Sequence, residues 1–262
     1  VSMRVPAPAE FSNVEFIGRE SILQMLQAAV ESELSPRLCG PAGVGKNELI
    51  YELARRSGTD LYIIQGHAEL TPDALTGAVR IREEGSIEMV ASPIIAAMLS
   101  GSWVLLDEAD KCPIRSLSPL ASLLDARQGV LSSQQLGVSV RAREGFRFFA
   151  TTNEPERGTS LPGWLDQRMR PKFDIDFPPA EDILKIVERR SSLPSQDVLE
   201  AFRAWTICRG EAPLPPRSAI QIVDYCTQYL RAPKRRSDGR ELSLSELIEM
   251  AAVWFGAAEV TS

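Results

Sequence analysis

Gly40-Pro41-Ala42-Gly43-Val44-Gly45-Lys46-Asn47 sets glycines at 40, 43 and 45 just ahead of a lysine. Glycines let successive backbone N–H groups turn inward on an anion, and a helix opening at Lys46 adds its favourable dipole end. Lys46 then suits the β and γ oxygens of a nucleotide. The usual last residue of such a loop is Ser or Thr, whose hydroxyl binds Mg²⁺, and here it is Asn47. An amide oxygen also reaches a hard cation, so altered rather than absent metal binding is expected. The competing reading is a Gly-rich turn with a surface lysine. Residues Gly40, Pro41, Ala42, Gly43, Val44, Gly45, Lys46, Asn47 and Glu48 are therefore the candidate nucleotide-binding set.

Trp103-Val104-Leu105-Leu106-Asp107-Glu108 delivers two adjacent carboxylates at the end of an apolar run. Asp107 suits a Mg²⁺ ligand, direct or through water, and Glu108 suits a group that orients or deprotonates an attacking water. Alone, a strand ending in Asp-Glu is an ordinary solvated terminus; the loop at Gly40 gives it meaning. Asn153 closes Phe148-Phe149-Ala150-Thr151-Thr152 and could touch a γ-phosphate or the lytic water. An Asn that merely starts a turn is the alternative there.

These residues need a scaffold of strands that end together. Apolar runs at 37–39, 61–64, 103–106 and 146–150, and an alternating one at 173–177, are interleaved with helical patterns. That rhythm predicts buried parallel strands in an α/β sheet, with ligands beyond the strand ends. Residues 79–90 and 129–140 break it, each reading as a β-hairpin around a polar turn. After Pro179 only helical periodicity remains, beginning at Ile183, over Val198–Cys208, over Ser218–Leu230 and over Leu242–Phe255. The division expected is an α/β domain over 1–178 and a small helical domain over 179–262.

Acidic residues outnumber basic ones 35 to 29, a net charge of −6, which disfavours a protein living by phosphate-backbone contacts. The four cysteines form no C-x-x-C pair and imply mostly packed thiols in a reducing, cytoplasmic setting. No run reaches the ~18 apolar residues of a membrane span. Val1–Glu10 lacks the basic-then-apolar pattern of a secretory signal. The only histidine, His67, cannot build a Ser-His-Asp or metal-hydrolase arrangement by itself, and Lys234-Arg235-Arg236 reads as a solvated loop.

The order of phosphate loop, Asp-Glu strand, polar strand end and helical tail resembles an AAA+ ATPase. Ser92–Gly101 leading into Trp103–Asp110, together with Gly145–Pro155 and Leu165-Asp166-Gln167-Arg168-Met169, is similar to the MoxR, CbbQ and midasin/dynein-related branch. Met169 replaces that branch's aromatic residue. The resemblance implies a P-loop NTPase fold: a parallel sheet sandwiched by helices, with two inserted β-hairpins, followed by an all-α lid. It implies that Asn153 is sensor 1, and that Arg168, with Arg170 as second candidate, is an arginine finger reaching a neighbour's γ-phosphate. Arg217 in Pro216-Arg217-Ser218 becomes the lid's sensor 2, and Ile17 and Gly18 line the adenine pocket. The hairpins face a pore or a partner in such relatives.

By the same resemblance the cofactors are ATP and Mg²⁺, and the assembly is a homo-oligomer, typically a hexameric ring. The role is chaperone-like remodelling of a protein client, sometimes one of von Willebrand A type. An assembly switch that binds ATP with little turnover is the rival, supported by Asn47. A motor of a nucleic-acid-processing complex is a third reading, opposed by the acidic charge.

Overall fold

Continuous apolar runs become strands here because both faces of the sheet they join are covered. The computed structural model describes residues 3–11, 16–81, 83–125, 129–153, 161–192, 194–210, 212–231 and 242–257. The first half comprises β1 (Met3–Arg4), α1 (Glu20–Glu31), β2 (Arg37–Cys39), α2 (Lys46–Ser57), β3 (Leu61–Gln65), α3 (Pro72–Thr76), β4 (Ala78–Ile81), β5 (Ile87–Val90), α4 (Pro93–Ser100) and β6 (Trp103–Asp107). There follow α5 (Ile114–Leu117), α6 (Leu120–Leu123), β7 (Val130–Ser133), β8 (Val138–Arg141), β9 (Arg147–Thr152), α7 (Gly163–Asp166) and β10 (Lys172–Asp174). Four longer helices close the chain: α8 (Ala180–Arg190), α9 (Gln196–Arg209), α10 (Pro216–Arg231) and α11 (Leu244–Trp254).

The residues group into two compact units. The first takes Glu20–Gly40 and Lys46–Ile175 together with the N-terminal segment. Its five-stranded sheet runs β10-β2-β9-β6-β3, with every neighbouring pair parallel. Val104, Leu106, Phe148 and Ala150 share one buried cluster with Ile94, Ile95, Ala97 and Met98 of α4. Leu105 and Phe149 alternate to the other face, where the Trp103 and Phe149 rings lie 5.1 Å apart. Sharp ends hold α4 in place: Ser92 caps it by accepting from the Ile95 N–H, and Gly101 ends it in a left-handed turn.

Strand order reverses at β2, which lies between the last strand, β10, and β9. Cys39 is paired with Thr152, so Gly40 and Asn153 leave adjacent strands side by side. That is the crevice at the carboxyl ends where open α/β sheets take ligands. Strand β10 is shorter than the alternation at 173–177 suggests, ending at Asp174. Its partner β2 has three residues, and after the Ile175 N–H bonds the Cys39 carbonyl no ladder remains to extend.

Both expected hairpins are antiparallel pairs, Ile81 opposite Ile87 in one and Leu131 opposite Val140 in the other. The first carries a third strand that the sequence does not announce, with Met3-Arg4 pairing parallel to Met89-Val90.

The second unit contains Asn13–Arg19, Pro41–Gly45 and Asp176–Ser262. Ile183, Val187, Val198, Phe202, Ile222, Val223, Cys226, Leu247, Ile248 and Ala251 make its core. Its third helix begins at Pro216, where a missing N–H costs nothing. Ser243 and Glu246 form a reciprocal capping box on α11. The loop Lys234–Arg240 lies outside the described residues. Among the described residues no helix is long and apolar enough to cross a membrane.

Candidate active site

In the first unit the ends of β6, β9 and β3 hold one hydrogen-bonded network. Asp107 Oδ2 accepts from Asn47 Nδ2 at 2.7 Å, and Asp107 Oδ1 accepts from Thr151 Oγ1 at 2.5 Å. Thr151 is fully buried and also accepts from the Glu108 N–H at 3.1 Å, so one hydroxyl fixes both acidic positions. Asn47 further hydrogen-bonds the Tyr51 hydroxyl, one helical turn on. Burial pushes that hydroxyl's pKa up, and Asp107 and Glu48 add to the shift. The Phe11 ring stacks on Tyr51 at 5.4 Å.

Lys46 is buried, and its Nζ donates to the Gly40 carbonyl at 2.8 Å and to Asn153 Oδ1 at 3.0 Å. Burial pulls this ammonium below its ordinary pKa, while Asp107, Asp110 and Glu108 pull the other way. Asn153 donates from Nδ2 to Glu108 Oε1 at 3.2 Å, and its backbone N–H reaches Asp110 Oδ1. Sensor-strand residues 154 and 155 lie outside the described residues.

Glu108 sits in the left-handed region, at φ 52°, which turns its side chain away from the strand direction. Oε1 accepts from Lys111 Nζ at 2.7 Å and Oε2 from Gln65 Nε2 at 2.8 Å. The Lys111 bond holds the carboxyl below its ordinary pKa, against burial and with help from Asn153 and Gln65. A carboxylate so tied is ionised and fixed in direction, fit to orient a water.

Gln65, Thr151, Lys111 and Asp110 are hydrogen-bonding neighbours of these side chains that motif reading passed over. Gln65 had a visible signal: it is the polar last residue of an apolar run and lies in register with Asp107.

The donor set suits Mg²⁺. With Asn47 Nδ2 turned to Asp107, its amide oxygen remains a neutral hard ligand beside a carboxylate. Among the described residues no group of three or more His, Cys, Asp or Glu gathers to hold a metal. Such a sparse set matches an ion whose other ligands are phosphate oxygens and water.

The Leu165–Arg170 turn separates its two arginines. Arg168 is half-buried and donates from Nη1 to the Trp164 carbonyl at 2.7 Å. Arg170 bonds both the carbonyl and the carboxylate of Asp166. The buried Arg37 holds the other Asp166 oxygen at 2.5 Å. Burial raises the Asp166 pKa, but the two guanidinium groups outweigh it and hold the carboxyl low. Met169 is fully buried in the core, filling the place the resemblance gives to an aromatic ring.

In the second unit, Gly43 and Gly45 both have positive φ, at 79° and 93°, on either side of the buried Val44. This alternation makes a concave run of N–H groups of the kind suited to an anion. A Cβ on Gly43 would lie 3.3 Å from Pro215. Ile17 and Gly18 are half-buried, and Arg217 is exposed at the second residue of α10. Glu48 lies in the first turn of α2, in the first unit, where a carboxylate complements the helix dipole.

The profile of the AAA domain, dynein-related subfamily, matches residues 37–170, just over half of the chain. The chain belongs to that family. The matched stretch of this AAA domain begins at Arg37 and ends at Arg170, enclosing Lys46, Asn47, Asp107, Glu108, Asn153 and Arg168. NorQ of Paracoccus denitrificans is 27% identical over 234 residues, covering 87% of this chain and 82% of NorQ. YojN of Bacillus subtilis, an uncharacterized protein, is 25% identical over 230 residues, covering 82% of this chain and 74% of YojN. Among solved structures, the RuvB Holliday junction branch migration motor of Thermotoga maritima superposes with a TM-score of 0.57 at 17% identity, covering 94% of this chain and 73% of RuvB. That likeness speaks to fold alone. The AAA domain is thus an AAA+ ATPase-type domain of the MoxR-like kind, the family its motifs resemble.

Proposed function

We propose that this AAA domain hydrolyses Mg-ATP to ADP and phosphate as one subunit of a homo-oligomeric ring, and that it uses the energy to remodel or mature a protein partner in the cytoplasm. The observation that carries the reading is the network joining Lys46, Asn153 and Glu108 and, through Thr151, Asp107. In this reading residues 1–178 bind the nucleotide and 179–262 form the lid. Ile17 and Gly18 line the base, Gly40–Glu48 cradle the phosphates, and Lys46 and Arg217 neutralise them. Asp107 and Asn47 would hold Mg²⁺, which would supply further positive charge to the phosphates. Glu108 orients the attacking water and Asn153 keeps Glu108 and Lys46 in register. Arg168 of an adjacent subunit spreads the transition-state charge, a task suited to its planar permanent cation. Arg170 is the weaker choice, because Asp166 already engages it.

A finger supplied in trans ties turnover to assembly. The test is phosphate release from Mg-ATP over a range of protein concentrations, beside Glu108→Gln. Specific activity that climbs with concentration and vanishes in the variant supports the reading. A wild type that binds ATP yet stays at background at every concentration would sink it. The assembly switch would then lead, on the strength of Asn47 occupying the position of the usual hydroxyl.

A further inference from the structure

Arg19 makes two contacts that the reading above leaves unused. Gly18 and Arg19 are consecutive left-handed residues, at φ 75° and 57°. A Cβ at Gly18 would lie 2.3 Å from Asp182 Oδ2, so that carboxylate would have to turn aside, and the positive φ itself favours glycine. Arg19 does carry a Cβ, and that conformation is strained for an L-residue. What offsets the strain is the reach of its side chain. Nη1 donates to the Val44 carbonyl at 2.9 Å, and Nη2 donates to the Asp176 carbonyl. Burial pulls the guanidinium below its ordinary pKa, with Asp176 and Asp182 opposing.

Val44 stands between the two left-handed glycines of the phosphate loop. When loop N–H groups turn toward an anion, the carbonyls between them turn away and need donors of their own. Lys46 serves Gly40 in this way, and Arg19 serves Val44.

We propose that Arg19 is a positioning residue for the phosphate loop: its fork binds the Val44 carbonyl to the Asp176 carbonyl and so presets the loop N–H groups for a nucleoside di- or triphosphate. The inference rests on the ATP reading. Because Ile17 and Gly18 directly precede it, the same side chain couples the segment assigned to the base with the segment assigned to the phosphates. Lysine cannot make the same fork, since its three N–H donors radiate from one nitrogen while the two carbonyls are met by two separate nitrogens of a planar group.

The experiment titrates the full chain, wild type beside Arg19→Lys and Arg19→Ala, with ATP, ADP and AMP in competition with a fluorescent ADP analogue, with thermal unfolding recorded in parallel. Both variants should weaken ATP and ADP about tenfold, the scale of one charge-assisted hydrogen bond. AMP, which lacks the β-phosphate, should shift by no more than about twofold. Should Arg19→Ala fail to fold, Arg19→Lys keeps the charge and stem and decides the matter alone. A wild type that binds no nucleotide removes the ATP reading itself. A wild type that binds ADP while the variants match it overturns the Arg19 assignment only. Equal losses for AMP, ADP and ATP overturn it too, because general loosening of the unit produces that pattern.

Discussion

The carboxyl ends of β6 and β9 and the paired strands β4 and β5 use similar apolar residues toward opposite results. In the first region every strand residue from Val104 to Leu106 and from Phe148 to Ala150 is buried, and the polar groups that follow are tied to one another. In the second, Ile81 and Ile87 face each other across the hairpin yet stand 78% and 63% exposed. Val79 and Met3, on the same face by register, are also exposed. Chemistry needs groups fixed in advance, which only a surrounding core can do. A face that meets another molecule can leave its apolar side chains uncovered until then.

Substitutions at five positions would break or sharpen that contrast. The largest effect is expected from Arg168→Ala, a loss of about a thousandfold in turnover together with its dependence on protein concentration; steady-state phosphate release reads both. Phe148→Ala should cost roughly 3–5 kcal/mol of stability in denaturant unfolding, since its ring is fully buried. Glu108→Gln should lower turnover about a hundredfold or more while ATP binding survives, because the amide keeps the shape of the carboxylate. Asn47→Ala removes one donor from Asp107 and should weaken Mn²⁺ binding to the nucleotide complex about tenfold, measured by electron paramagnetic resonance. Asn47→Thr should retain most of it. Smallest is Ile81→Ser, expected to stay within about 0.5 kcal/mol of wild-type stability and to leave turnover unchanged. A fall of several kcal/mol there would mean that the hairpin face is part of the core, and the contrast would collapse.

The tied carboxylate also sets a pH dependence. Glu108 is depressed below the ordinary Glu value, so its ionised form contributes stability that is present above the unfolded value of about 4.3 and is lost as pH falls through the lower folded value. Glu108 must also be ionised to orient a water, so Lys111→Met, which removes the largest cause of the depression, should move the acid limb of a pH–rate profile upward.

Much of this site is legible along the chain because its parts are local. Gly40–Asn47 is a contiguous motif, and Trp103–Glu108 shows its strand and its carboxylates in one run. The long helices could likewise be read from periodicity, although Pro216 shows that α10 starts two residues before the expected Ser218. What could not be read is pairing over distance. Thr151 looks like an ordinary strand residue until β9 sets it beside Asp107. Gln65 meets Glu108 only through the register of β3 against β6. Met3-Arg4 is too short to show any alternation, and it is a strand only because β5 offers it an edge. Arg19 lies 25 residues from the carbonyl it holds.

Asp166 joins two places that are far apart in sequence. One oxygen grips Arg37 at the root of β2, the other grips Arg170 at the end of the turn that carries Arg168. Along β2 the backbone runs directly from Arg37 to Gly40. A pull on that turn therefore has a short, stiff load path, through one carboxylate and three residues of strand, to the first glycine of the phosphate loop. Asp166→Asn would take the charge out of that path and leave the buried Arg37 guanidinium without its anionic partner.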